Sequence, residues 1–141
     1  MTKLFSILLL FSSVYIVSCG NHDPNEQKQH LNGYWTIEKV VLPDGTEKNF
    51  RMSTTVDYIM VTGNEGIRKK VQPKLDGTFE TGKTVESFEL RIEDDSLRMY
   101  YHTPYDSWKE TVITAKDSSL VVVNRDGNTY FYKEFSPFKF E

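Results

Sequence analysis

The chain has 141 residues and a formal net charge of −3, from 17 Lys and Arg against 20 Asp and Glu. The two signs are intermixed, so no basic stripe exists to neutralise phosphates, and a nucleic-acid partner is excluded on charge. A single cysteine excludes a disulfide framework, and the length that follows the N-terminal apolar segment suits one hydrophobic core.

That segment runs from Leu4 to Val17 behind a lone Lys3. It is short for a bilayer-spanning helix, is interrupted by Ser6, Ser12 and Ser13, and lacks a basic stop-transfer cluster, so residues 1–18 read as an export signal. Ile16-Val17-Ser18-Cys19 resembles the lipobox of bacterial lipoproteins. The resemblance implies cleavage before Cys19, a diacylglyceryl group on its thiol, and the membrane as a partner through that lipid. The expected address is the cell envelope, on the outer membrane.

Residues 19–30 are polar, contain Pro24 and show no periodicity, the composition of a flexible tether. From Leu31 to the C-terminus the pattern turns to period two, which predicts an all-β body over 31–141. The expected strands are Tyr34 to Leu42, Val56 to Thr62, Gly66 to Gln72, Thr78 to Gly82, Ser87 to Glu93, Leu97 to His102, Trp108 to Thr114, Leu120 to Asn124 and Thr129 to Glu134. Asp44-Gly45, Asp76-Gly77 and Asp126-Gly127 supply tight turns, and Asp94-Asp95 a hairpin loop. Alternation puts Phe88, Leu90 and Ile92 on one face, and Leu97, Met99 and Tyr101 on one face of the next strand. In the first strand Trp35, Ile37 and Val41 share a face broken by Lys39, which leaves its two sides hard to tell apart.

Short connections between successive strands favour an antiparallel up-and-down β-barrel of about eight strands over a Greek-key sandwich. Leu31-Asn32-Gly33-Tyr34-Trp35 resembles the Gly-x-Trp signature that opens lipocalin barrels, and with Trp108 and the terminal Tyr130-Phe131-Tyr132-Lys133 the body is similar to lipocalin-like lipoproteins of Bacteroidetes. The resemblance implies a tryptophan plugging the closed end and an interior that either is filled or takes a small hydrophobic ligand.

The candidate lining of such an interior is Trp35, Met99, Tyr101, Trp108 and Glu110. Glu110 shares a face with Trp108 and Val112, so an inward face carries a carboxylate that needs a cation, a donor or a proton. The rival expectation is a filled barrel whose surface binds an envelope or host protein. His22 and His30 fall in the tether and His102 stands alone, so neither a metal-ligand spacing nor a histidine-activated nucleophile is found. The expectation is a non-enzyme with no cofactor.

Overall fold

A computed structural model describes residues 23–136. Cys19 and the signal segment lie outside the described residues. A short helix, α1 (Pro24–Gln29), precedes nine strands: β1 (Gly33–Val41), β2 (Glu47–Asn49), β3 (Val56–Thr62), β4 (Glu65–Pro73), β5 (Phe79–Glu93), β6 (Ser96–His102), β7 (Ser107–Ala115), β8 (Ser119–Asn124) and β9 (Thr129–Glu134). Every pairing is antiparallel; β3 to β9 pair in chain order, β1 pairs with β3, and the short β2 flanks β1. Pairing of β1 with β9 closes β1 and β3 to β9 into an eight-stranded up-and-down barrel, as the sequence predicts. Closure removes the two edges that an open sheet would expose.

The turns follow their chemistry. Gly45, Gly77 and Gly127 take φ of 87°, 85° and 81°, values that cost a Cβ-bearing residue strain. Asp44 and Asp76 each accept the backbone N–H two residues on, at 2.9 Å. Asp94 and Asp95 both adopt positive φ, the signature of a two-residue primed hairpin turn.

Three irregularities depart from the sequence reading, and each has a local cause. Residues 24–30 are not a leash: Asp23 caps α1 by accepting from the Asn25 N–H at 2.9 Å, Pro24 opens its first turn, and the helix packs against β6 and β7. Thr78 to Gly82 and Ser87 to Glu93 are not two strands but parts of one. Between them Gly82, Lys83 and Thr84 bulge opposite the single residue Lys70, and the ladder then resumes. In β1 a bulge between Ile37 and Lys39 swaps the faces of the strand. Ile37 packs inward, whereas Lys39 turns outward to Glu47 and the Phe131 ring, so its place among apolar residues is reconciled without burying a charge. β2 is too short to show a period and is absent from the expected strands.

A third bulge, between Val112 and Thr114, helps to close one end of the barrel. It leaves Ile113 without a ladder partner, and its carbonyl accepts 3.1 Å from the side-chain amide of the buried Gln27 in α1. Below this plug lies the apolar core: Leu31, Trp35, Ile59, Leu97, Met99 and Leu120 are all 2 % exposed or less. Trp35 folds its indole N–H back onto the Leu31 carbonyl at 2.9 Å, and Gly33, at φ 139°, leaves room beside that ring. Of the residues expected to point inward, Ile92 alone is half exposed, because it lies at the end of the β5–β6 hairpin beyond the packed layers.

Candidate functional site

The end opposite α1 is built differently. Strand tilt and register bring Asp57 of β3, Arg68 of β4, Tyr101 of β6, Glu110 of β7 and Tyr132 of β9 to one level inside the barrel. Arg68 is 8 % exposed and every N–H of its two terminal nitrogens is matched. One nitrogen donates to Tyr101 Oη at 3.1 Å and Glu110 Oε2 at 3.2 Å, the other to Asp57 Oδ2 at 2.8 Å and Tyr132 Oη at 2.7 Å. Asp57, directly across the ladder from Lys70, also accepts from its ammonium at 2.8 Å. A guanidinium suits this place because its planar fork fixes several acceptors at once.

The surroundings set the protonation states. Burial works against ionisation of Asp57, but Arg68 and Lys70 outweigh it and hold the carboxyl below its ordinary value. For Glu110 burial dominates, Arg68 only partly offsets it, and the nearby Glu86 adds repulsion, so its pKa is raised. Burial likewise pushes the Tyr132 phenol up to about 12 and raises that of Tyr101. Both phenols are therefore neutral near pH 7, and the two carboxyls within reach of one arginine are pushed in opposite directions.

Above this layer a pocket of about 470 Å³ opens at the barrel mouth. Arg68, Asp57 and Glu110 form its floor; Trp108 and Tyr130 are aromatic walls; Lys70 and the bulged segment with Thr84 and Glu86 complete the rim. Trp108 stacks on Tyr101 with centroids 5.0 Å apart and planes 6° from parallel, and Tyr130 is held through its hydroxyl by Asn124 at 3.4 Å. A larger hollow of about 870 Å³ is an open trough on the outer wall, bordered by Met60, Ile67, Tyr100 and His102.

The structure thus brings together three of the expected lining residues, Tyr101, Trp108 and Glu110. It separates the other two, since Trp35 and Met99 are packed in the plugged half and do not line the mouth. The cation that Glu110 needs is Arg68. Arg68 and Asp57 were not visible as site residues in the sequence. Their signal lies in pairing: Phe88 faces inward opposite Gly66, where an added Cβ would come within 2.2 Å of the ring, so Gly66 and every second residue after it, Arg68 included, must face inward too. The apolar Ile67 and Val71 point the other way.

A closed up-and-down barrel, plugged by a tryptophan and a helix at one end and open at the other, defines a class of single-pocket barrels. The model of the lipocalin-like domain family matches residues 31–122, and the chain belongs to that family. None of the curated proteins matches it. Similar solved structures include a lipocalin-like protein from Bacteroides uniformis (13% identity, 75% of this chain and 99% of that one, TM-score 0.48) and an uncharacterized protein from Bacteroides eggerthii (11%, 74% and 99%, 0.47). Apocrustacyanin C1 is similar at 9% identity over 86% of this chain and 73% of its own, with a TM-score of 0.46.

Proposed function

We propose that this protein is a lipid-anchored lipoprotein of the cell envelope whose barrel holds one small molecule in its mouth. The observation that carries this reading is the pocket of about 470 Å³ above the Arg68 layer, within the range of small-molecule sites and walled by aromatic side chains with convergent polar groups. The rival reading, a filled barrel acting only through its surface, requires side chains that occupy the upper half. There the inward residues hold one another to the wall and leave the hollow. A ligand with an apolar body fits Trp108 and Tyr130, and the charged floor adds a demand for a polar group.

The end at which the chain enters the barrel supports an anchor away from the mouth. Asp23, four residues after Cys19 in the sequence, caps α1 at the plugged end, so a lipid on Cys19 leaves the mouth facing away from the bilayer. Nothing in this reading calls for catalysis.

Native mass spectrometry of the full chain extracted in mild detergent tests the ligand. The expected result is one small molecule retained per chain and reduced retention in Trp108→Ala; a chain that carries nothing after extraction and after incubation with a total lipid and metabolite extract overturns the reading. The anchor is tested separately: Cys19→Ala should move the protein from the membrane to the soluble fraction, and complete retention on membranes would refute lipidation.

A further inference from the structure

We propose that the mouth pocket selects a small organic cation, an amine carried on a flat or apolar body, an inference that rests on the ligand-binding reading above. It follows from which hydrogen-bonding positions the protein has already used. A buried arginine in a barrel floor is an obvious anchor for a carboxylate ligand, but here all four N–H groups on the terminal nitrogens of Arg68 go to protein acceptors. Asp57 is spent as well, one oxygen on Arg68 and the other on Lys70.

Of the three carboxylates at the pocket, Asp57 and Glu110 have ion pairs and Glu86 has none among the described residues. Glu110 accepts from Arg68 through Oε2 and has the Tyr101 hydroxyl beside it. Glu86 stands directly across the ladder from Arg68 and lines the same hollow. Around the pocket the cations are Arg68, Lys69 and Lys70, and the carboxylates are Asp57, Glu86 and Glu110, three against three. The ammonium of Lys69 lies 5.3 Å over the ring of Tyr58, its partner across the ladder, and so is directed to Tyr58 and not to the carboxylates of the hollow. Lys70 is tied to Asp57.

The walls suit the same chemistry. One face of Trp108 is covered by Tyr101, and its ring with that of Tyr130 presents electron-rich surface to the hollow, the arrangement that attracts ammonium groups. The acidic side chains are not grouped to hold a metal ion among the described residues. A cation whose charge is shared between carboxylates and aromatic faces, with an apolar remainder for the mouth, meets every unmatched group.

Binding of 2-phenylethylamine, 2-phenylethanol and phenylacetate to the full chain, followed by isothermal titration calorimetry near pH 7, tests this. The amine should bind at least about tenfold more tightly than either analogue, the worth of one hydrogen bond to a charged group. Glu110→Gln and Glu86→Gln should each weaken the amine several-fold and leave the alcohol unchanged; if Glu110→Gln does not fold, Glu86→Gln carries the comparison. Phenylacetate or the alcohol binding as well as the amine overturns the cation inference and leaves the ligand-binding reading standing. So does failure of all three probes on a chain that retains a molecule in the mass spectrum. Failure of all three on a chain that retains nothing removes both.

Discussion

At the α1 end the barrel is filled by aliphatic and aromatic side chains held by area and shape, and the few polar groups there are matched by plug contacts such as Gln27 to the Ile113 carbonyl. At the mouth the same strands turn inward an arginine, two carboxylates and two phenols, which hold one another in place and leave a hollow above them. Each strand therefore changes from packing to polar matching along its own length: β7 carries Val112 and Ala115 toward the plug and Trp108 and Glu110 toward the mouth. Apolar layers can collapse onto one another, whereas a buried ion network has fixed distances and keeps the wall apart, which is how one small barrel is both solid and hollow.

The mouth breaks most readily at its centre. Arg68→Met should cost about 3–5 kcal/mol in urea denaturation, because it strands buried carboxylates. In the plugged half, Leu97→Ala should cost about 2–5 kcal/mol through lost burial and a cavity, with no change in ligand retention. Equal loss of ligand from both variants would erase the distinction between the two ends. Gly66→Ala sits at the boundary and should cost about 1–3 kcal/mol, since the new Cβ meets the Phe88 ring unless that ring moves. Gln27→Leu is the mildest of the four, about 1 kcal/mol from one hydrogen bond, read as faster amide exchange in α1 and β7.

Titration sharpens the contrast within the mouth itself. The folded pKa of Asp57 is depressed, so its contribution is present above the ordinary 3.8 and is lost as pH falls through the lowered value. That of Glu110 is raised, so the stability linked to its proton is present below the ordinary 4.5 and is lost as pH rises through the folded value. Glu110→Gln should therefore flatten the decline of stability on the alkaline side of pH 4.5, and Asp57→Asn the decline on the acid side. Chemical denaturation across pH separates the two, and identical profiles for both variants would contradict their opposite assignments.

The glycines after Asp44, Asp76 and Asp126, the clean alternation of Phe88 to Ile92 and Leu97 to Tyr101, and Leu31 to Trp35 at the barrel start were legible in the chain. They made the all-β barrel and its closed end readable, because turn chemistry and period two act between near neighbours. That Glu110 shares a face with Trp108 and Val112 was legible for the same reason, but which way that face points was not. The bulges were not: Ile37 to Lys39, Gly82 to Thr84 and the region of Ile113 shift a face or continue a strand only through the register of a partner. α1 has too few residues to carry a period and is held by capping and by the barrel end.

What the chain determined by itself was a helix-poor body of short antiparallel strands, its turns and which way most side chains face, since each depends on residues a few positions apart. Only the tertiary structure decided that Arg68, chemically unremarkable between Ile67 and Lys69, becomes the centre of the mouth. Its four partners come from β3, β6, β7 and β9, and no local pattern records that closing β1 onto β9 brings them within 2.7–3.2 Å of one guanidinium.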